Sequence, residues 1–250
     1  MALEHIPVNQ SCQGRRTLAT CALVATWWTG PSQRRLFSSV KIRDSNYERW
    51  MNGVVHSESN DRLLGYVRSM WHSIYACTGG NEKFRMQVLP GRSGEYLSAL
   101  HNLSSLTLRL ITVEHIRKEG FRTCFSAFRE TLTCLSLDTF DTASFSAFVT
   151  LVDYFPNITT LELEPAVAPR LDERPVPSFS RPPRGKLFVY QVQPGRLEFF
   201  NRFARLDLEY EELIIASRFY FMGKMFAESV LQISPSTIKF LKLARGLRRE

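Results

Sequence analysis

The side chains best suited to acid–base catalysis or metal binding are the histidines, and their spacing tests both kinds of chemistry. The five histidines lie at positions 5, 56, 72, 101 and 115. No two of them have the H-x-H or H-E-x-x-H spacing that presents two imidazoles to one metal ion. His101 precedes a predicted strand and His115 follows one, so we predict that both are surface or capping residues rather than ligands or bases.

One acidic cluster consists of Asp207, Glu209, Glu211 and Glu212. Carboxylates are ligands for hard cations, but this cluster has no histidine or cysteine beside it and lacks the spacing of a cation-binding loop. It therefore predicts a solvated strand edge, with a weak cation site as the alternative.

Nucleophile and phosphate-binding motifs are absent from the sequence. There is no G-x-S-x-G elbow, no Walker loop and no G-x-G-x-x-G, and the glycines at 79, 80, 91 and 94 have the context of turns. We therefore predict that the protein is not an enzyme and has no catalytic residue, no metal site and no cofactor. An enzyme whose site is assembled from residues far apart in sequence is the least favoured of three hypotheses.

The cysteines lie at positions 12, 21, 77, 124 and 134, without a C-x-x-C pair. This pattern indicates neither a zinc knuckle nor a redox pair. Cys21, Cys124 and Cys134 have apolar neighbours and are predicted to be small core residues. Together these features favour a reducing compartment, the cytoplasm or the nucleus.

Charge and hydropathy bear on the choice of partner. The 250-residue chain has a formal net charge of +8, from 32 basic and 24 acidic residues, a balance that favours acidic partners. The basic residues are scattered, so we predict an ordinary solvated surface and no nucleic-acid partner.

No apolar run reaches the roughly 18 residues that span a bilayer, so we predict no membrane partner. Residues 18–28 resemble a signal peptide only in part, because they end in Trp27 and Trp28 without a small-residue cleavage site.

A repeated figure of leucines dominates the rest of the chain. Residues 103–108 read L-x-x-L-x-L, in which apolar residues two apart fit a short strand with one buried face. The middle apolar residues of six copies lie at positions 106, 135, 161, 187, 213 and 241, with gaps of 29, 26, 26, 26 and 28. This period predicts a repeat protein in which each unit is one strand and its return path.

Helical stripes precede most of these strands, with apolar residues at i, i+3, i+4 and i+7. The stripes begin at Tyr96, Phe121, Phe145, Leu197 and Phe226. Each is predicted to pack on the strands. The expected fold is therefore α/β, a leucine-rich-repeat-like solenoid of short parallel strands that alternate with helices.

The first units of the array are less regular. Val40 and Ile42 predict a strand, and Val67 continues the period 27 residues after Val40. The distance from Val67 to Leu106 is too long for one unit, so residues 84–88 predict an extra strand between them.

Residues 164–186 interrupt the repeat with prolines at 165, 169, 175, 177, 182 and 183. Proline removes a backbone donor and blocks helix interiors, so a loop is predicted here in place of a helix. The loop is either a surface excursion or a segment that docks a partner, because loops on rigid scaffolds often bind.

The N-terminal residues resemble the second half of an F-box. Residues 17–28 have helical spacing that we expect to end at Gly30, Pro31 and Ser32, before a short helix and a strand. The F-box pattern L-x-x-C-x-L-V-C-[RK]-x-W is matched at Leu18, Cys21, Leu23, Val24 and Trp28. Residues 1–16 lack the amphipathic first helix of that family. The chain is therefore divided into a truncated F-box-like helical segment, residues 1–38, and a leucine-rich-repeat-like array, residues 39–250.

This plan is similar to that of the divergent F-box leucine-rich proteins of mushroom-forming fungi. The resemblance implies that a Skp adaptor contacts the matched F-box residues and that the repeats hold an unknown protein substrate for ubiquitin transfer by other subunits. We therefore expect a non-enzymatic substrate receptor of a Skp–cullin–F-box ubiquitin ligase. The alternative is a leucine-rich-repeat scaffold for protein interactions without ligase association.

Overall fold

The computed structural model describes residues 26–42, 61–73, 99–109, 123–140, 145–165, 178–192, 196–206, 209–217, 220–233 and 238–245, together with residues 46, 49, 50, 52, 54, 97, 111 and 116. Within these residues, one sheet of eight strands is parallel throughout, and each strand pairs with the next in sequence. The strands are β1 (Ser39–Ile42), β2 (Ser69–Ser73), β3 (Ser105–Arg109), β4 (Cys134–Phe140), β5 (Thr160–Pro165), β6 (Arg184–Tyr190), β7 (Glu209–Ser217) and β8 (Phe240–Arg245).

The helices of the described part alternate with these strands, as in a stack of strand–helix units. They are α1 (Thr26–Phe37), α2 (Asp61–Leu64), α3 (Phe145–Asp153), α4 (Leu197–Ala204) and α5 (Tyr220–Ile233), with a 3₁₀ helix at Ser126–Phe128. The predicted α/β class is confirmed, and the stripes predicted from Phe145, Leu197 and Phe226 are helical. No described helix combines the length and the apolar content needed to cross a bilayer. The division of the chain at residue 38 stays a prediction.

The predicted middle leucines lie directly opposite one another in the sheet. The row consists of Leu106, Leu135, Leu161, Leu187, Leu213 and Leu241, one from each strand from β3 to β8. Every member except Leu241 is buried. The period read from the sequence therefore sets the register of six strands.

The unit that contains β2 differs from its prediction. Met70, not Val67, pairs with Val40 on one side and with Leu106 on the other. Val67 is buried just before the strand, so both residues fit an apolar pattern and spacing alone selected the wrong one. β2 also pairs directly with β3, so the extra strand predicted between them is wrong as part of the array. Residues 84–88 lie outside the described residues.

The predicted end of the first helix is wrong, because α1 continues through Gly30, Pro31 and Ser32 to Phe37. Proline removes one helical hydrogen bond, and tertiary contacts can offset that loss. Ser32 is fully buried, and the Phe37 ring packs 6.4 Å from the ring of Trp50. Packing therefore decides the conformation of this segment against its local preference.

Phenylalanine side chains fill the space between the helices and the sheet. The ring of Phe148 lies 5.6 Å from those of Phe140 and Phe145, 5.4 Å from that of Phe199 and 5.8 Å from that of Phe203. All five side chains are buried. These rings join α3 and α4 to β4, which explains why so many phenylalanines recur at helical spacing.

A chain of hydrogen bonds crosses the starts of the strands. The Arg68 carbonyl accepts bonds of 2.9 Å from the backbone N–H groups of Ser104 and Ser105. The Ser104 carbonyl accepts bonds of the same length from Thr133 and Cys134. The Ser104 and Thr133 hydroxyls donate to the same two carbonyls, at 3.1 and 3.2 Å. A hydroxyl residue at this place in the repeat therefore ties β3 and β4 each to the preceding strand.

Gly185 holds the corresponding place at the start of β6. Its φ of +92° lies in the left-handed region, and the register of β6 against β7 shifts between Gly185 and Lys186. A Cβ added here would lie 2.3 Å from the carbonyl oxygen of Thr159, which itself accepts a 2.8 Å bond from the N–H of Lys186. The close approach of two backbone segments therefore requires glycine.

The predicted loop at residues 164–186 is shorter at both ends than expected. β5 extends through Pro165, and β6 begins at Arg184. Pro165 pairs with Phe140 just after the register of β4 against β5 shifts, and such irregularities are among the places in a sheet where proline is found. Residues 166–177 lie outside the described residues.

The returning end of this loop is fixed on α3. Phe179 is buried, and the neighbouring Ser180 donates its backbone N–H and its hydroxyl to the Asp153 carboxylate, at 2.9 and 2.6 Å. Charge-assisted bonds of this kind are stronger than neutral ones. The chain that enters β6 is therefore held in one position.

Candidate interaction face

The sheet has one buried face and one face that we call the open face. Successive side chains of a strand point to opposite sides, so the residue between two buried leucines belongs to the open face. Its central row consists of Lys41, Trp71, Thr107, Ser136, Glu162, Phe188, Ile214 and Lys242, one residue from each strand. All of them except Ser136 are exposed or half-buried. The position between the two leucines of each unit can be read from the sequence, so the repeat itself contains the signal for this row.

At the β1 end of the open face, an indole lies beside two cations. The Lys41 Nζ lies 4.3 Å from the centroid of the Trp71 ring, and the Arg109 guanidinium carbon lies 5.9 Å from the same centroid. The two cations come from the strands on either side of β2. We call these three residues the basic–aromatic cluster. Cation–π contacts at exposed sites contribute about 0.5–1 kcal/mol, enough to orient the ring.

Carboxylates occupy the middle of the open face, on β4 and β5. Asp138, Glu162 and Glu164 form this acidic strip. Asp138 Oδ2 lies 3.7 Å from the Nε of Arg109, which links the strip to the basic–aromatic cluster. Burial lowers the pKa of Arg196, and the negative charge of Glu164 opposes that shift, so these two groups also interact. The strip therefore consists of three carboxylates, one of which is paired with the Arg109 side chain.

An apolar pair follows on β6 and β7. Phe188 and Ile214 lie opposite each other in register, and both are half-buried. Beside them, the Lys186 Nζ pairs with Glu212 Oε2 at 3.0 Å. The charges near the apolar pair are therefore neutralised within the sheet, which leaves apolar contact as the main property of this part of the open face.

The described carboxylates of the predicted acidic cluster each pair with a basic side chain from a neighbouring segment. The pairs are Glu209 with Arg184, Glu212 with Lys186, and Glu211 with Lys239 at 3.1 Å. These carboxylates are partly exposed, as predicted, but β7 is paired on both sides, so they lie within the sheet and not at its edge. Asp207 lies outside the described residues, and among the described ones no three His, Cys, Asp or Glu side chains gather as metal ligands would.

The residues that the F-box resemblance assigns to adaptor binding are Leu18, Cys21, Leu23, Val24 and Trp28. The first four lie outside the described residues. Trp28 belongs to helix α1, but its side chain is not among those described. The role of all five stays a prediction.

His72 is the titratable residue that the sequence analysis missed. It lies on the buried face of β2, in register with Ile42 and Leu108, and is 1% exposed. Burial lowers its pKa from 6.5 to about 4, so the imidazole is neutral at physiological pH. His101 is exposed, as predicted, and His115 lies outside the described residues.

The two described cysteines differ in position. Cys124 is buried, as predicted, and burial raises the pKa of its thiol, which disfavours the reactive thiolate. Cys134 is only half-buried and lies on the open face, in register with Ser105 and Thr160, so its assignment to the core is wrong. Successive side chains of β4 point to opposite sides of the sheet, so Cys134 lies on the other side from its neighbour Leu135, which is buried. Cys21 is outside the described residues.

A cleft of about 590 Å³ lies at the strand-start edge, between the end of α3 and residues 180–184. Asp153 on its wall is bonded to Ser180, and the other lining groups include Asn157, Arg181 and prolines. Asn157 also donates a 2.8 Å bond to the Glu130 carbonyl. The described lining presents no nucleophile beside a histidine, so this cleft does not have the arrangement of an acyl-transfer site.

No family model matches the chain, and neither a curated protein nor a solved structure matches it significantly.

Proposed function

We propose that this chain is a non-enzymatic adaptor that holds a partner protein on its open face and acts as substrate receptor of a Skp–cullin–F-box ubiquitin ligase. The binding step is supported by one observation, the central row of the open face, in which the half-buried Trp71, Phe188 and Ile214 stand among charged residues on a parallel sheet. The ligase attachment is supported by the resemblance of residues 1–38 to an F-box.

The physical case for binding is the unusual exposure of this sheet. Parallel sheets are usually covered on both faces, whereas here the side chains opposite the core are largely exposed or half-buried. Exposed aromatic and apolar side chains rimmed by polar ones are typical of protein-binding surfaces, and aromatic residues dominate binding hot spots. Eight strands spaced at about 4.8 Å give a surface roughly 34 Å long, which suits an extended partner.

Replacing Phe188 and Ile214 together with threonine is expected to lower the affinity for the natural partner about tenfold or more. Truncation of a central apolar contact typically costs more than 1.4 kcal/mol of binding free energy, which is a factor of ten. Threonine retains a high strand propensity, so the sheet should persist. The measurement is quantitative affinity capture from extract of the cells that produce the protein, with the captured proteins identified by mass spectrometry.

The matched control is Phe221→Ala on α5, because Phe221 is the most exposed of the large apolar residues that the structure describes, at 69%, and does not belong to the open face. We expect this variant to capture the same partner in unchanged amount. If the wild type, Phe221→Ala and the double threonine variant capture equal amounts of the partner, binding at the open face is refuted.

The ligase attachment predicts direct binding of a recombinant Skp adaptor by the purified chain, with a dissociation constant in the micromolar range or below. Replacing Leu23 and Val24 with aspartate should weaken this binding at least tenfold, because a helix-in-groove contact depends on apolar side chains. Isothermal titration calorimetry measures the affinity, and circular dichroism shows whether the variant is folded.

The second candidate function is a protein-interaction scaffold without a ligase. It shares the open face with the first and differs only in what residues 1–38 do. Absence of heat at tens of micromolar Skp adaptor, together with partner capture that depends on Phe188 and Ile214, would select this candidate.

A further inference from the structure

The sheet ends at β8, an apolar strand that has no neighbour on its outer side among the described strands. We call the outer side of residues 240–244 the β8 edge. We propose that a second copy of this chain pairs with the β8 edge, antiparallel about a two-fold axis perpendicular to the sheet, and so forms a dimer with one continuous sheet. The inference goes beyond partner binding at the open face and does not depend on it.

The buried row of leucines loses its cover at β8. Leu213 on β7 is fully buried, whereas Leu241, the next member of the row, is 37% exposed. Leu243 is also only partly buried, although Ile215 beside it on β7 is 1% exposed. An apolar layer left open at the end of a stack is stabilised when another layer covers it.

The side of β8 that belongs to the open face is apolar at both ends. Phe240 is 51% exposed and Ala244 is half-buried. Lys242 between them is exposed and has no ion-pair or hydrogen-bond partner in the part of the chain that the structure describes. Proteins usually protect an unpaired edge strand with several charges, prolines or a covering segment. Lys242 is the single charged residue of the β8 edge, so this strand is open to pairing with another strand.

The opposite edge of the sheet is closed on its core side. Val40 and Ile42 of β1 are 8% and 1% exposed. A copy that added head to tail, with its β1 against β8, would therefore bring little exposed apolar surface to Leu241. Two β8 edges instead offer each other the same exposed apolar side chains, which is the self-complementary contact of a two-fold dimer. The association therefore closes at two copies and does not extend into a filament.

Side-chain direction limits which residues of the two strands can face each other. Residues directly opposite in an antiparallel pair point to the same side of the sheet, so the axis passes through a residue position. An axis at Lys242 sets Leu241 of each copy opposite Leu243 of the other on the core side, and Phe240 opposite Ala244 on the open face. All four apolar residues then gain apolar neighbours. The unfavourable contact is the pair of Lys242 side chains at the axis, because like charges directly opposite each other are destabilising.

The size of the β8 edge predicts a weak, reversible dimer. Two exposed apolar side chains from each copy, with one pair of short strands, form an interface smaller than the roughly 1,200 Å² buried in stable complexes. We therefore expect a dissociation constant in the micromolar range. Both open faces would lie on the same side of one sheet, so a partner with two binding segments would be held by both copies with increased avidity.

Sedimentation equilibrium of the full chain tests the dimer. The average mass is expected to rise with concentration from 28.8 kDa towards twice that value and not beyond it. Phe240→Thr with Leu241→Thr should raise the dissociation constant at least tenfold, because threonine keeps a high strand propensity and removes the apolar contacts. If the double variant unfolds by circular dichroism, Phe240→Thr alone provides the comparison at the more exposed position. Phe221→Ala is the control, because it removes a still more exposed apolar side chain that belongs to α5, and it should leave the dissociation constant unchanged.

A mixture of the wild type with Lys242→Glu tests the position of the axis. Each protein alone places two like charges at the axis, whereas the mixed dimer places Lys242 of one copy opposite the new carboxylate of the other. Energy transfer between fluorophores on N-terminal tags is expected to show that the mixed dimer is about threefold or more tighter than either homodimer. A monomer at hundreds of micromolar, growth beyond a dimer, equal weakening by Phe221→Ala or no preference for the mixed dimer would overturn the inference.

Discussion

Replacing Gly185 with alanine is expected to lower the free energy of unfolding by about 3 kcal/mol or more. The φ of +92° costs a residue with a side chain roughly 1–3 kcal/mol. In addition, the new Cβ would lie 2.3 Å from the Thr159 carbonyl oxygen, and a backbone atom cannot move aside as a flexible side chain can. β6 would have to separate from β5, so the two strands should lose register. Urea unfolding followed by far-UV circular dichroism measures the change.

Gly30→Ala is the matched control for this substitution. Gly30 lies inside α1, and an added Cβ would meet nothing within 4 Å apart from its two chain neighbours. Alanine is favoured over glycine in a helix by about 0.5–1 kcal/mol, but its Cβ would also contact the ring of the following Pro31, which opposes that gain. The free energy of unfolding of this variant is therefore expected to stay within about 1 kcal/mol of the wild-type value, far from the loss expected at Gly185. If the free energy of unfolding of Gly185→Ala lies within 0.5 kcal/mol of the wild-type value, β5 and β6 do not approach each other as closely as described.

Acidification from pH 6.5 to pH 4 is expected to remove about 3 kcal/mol of stability through His72 alone. Its pKa is about 4 in the folded protein against 6.5 in the unfolded chain. The unfolded chain therefore binds the proton more readily, and stability that is fully present above pH 6.5 is lost as the pH falls towards 4. Each pKa unit corresponds to about 1.36 kcal/mol.

His72→Leu isolates this effect from that of the carboxylates. The neighbours of His72 in the sheet, Ile42 and Leu108, are aliphatic, so leucine fits the row. The free energy of unfolding of this variant should depend less steeply on pH between 6.5 and 4 than that of the wild type, and the two curves should run parallel above pH 7. Parallel curves over the whole range would mean that His72 is accessible to protons in the folded state.

The leucine rows were predictable because strand pairing preserves a local pattern. Each unit places two apolar residues two apart, and a near-constant return path sets the next pair opposite them, as with Leu161 and Leu187. The helices from Phe145 and Phe226 followed from the same kind of local periodicity. Where successive units have the same length, equivalent residues lie opposite each other in the sheet, so the spacing in the sequence predicts the register.

The errors occurred where contacts distant in sequence decide the outcome. Val67 and Met70 are both apolar and both buried, and only pairing with β1 and β3 shows which one joins the row. The helix through Pro31 buries Ser32 and ends at Phe37, whose ring packs on Trp50, and contacts of this kind are not visible in local propensity. His72 lies in a row of aliphatic residues on the buried face of β2, and the spacing of apolar residues in the sequence did not predict that position 72 belongs to this face.

The residues of the candidate interaction face were not predicted, for a different reason. Its residues lie between the leucines, and their chemistry becomes visible only when the strands are aligned and Trp71, Glu162 and Phe188 fall into one row. Residues 18–28 were predicted to contact an adaptor and the repeats to hold a substrate, but no residue of the repeats was assigned to the substrate. Residues 18–28 bear on ligase attachment, whereas the open face bears on partner recognition, so the two parts of the proposal are independent.

The central claim is that the open face binds a partner polypeptide, and the most direct measurement is the ratio of captured partner between two variants. The proposal predicts that the variant with Phe188→Thr and Ile214→Thr retains a tenth or less of the partner held by Phe221→Ala, with both proteins folded by circular dichroism. A ratio near one would contradict it, because the partner would then bind elsewhere on the chain.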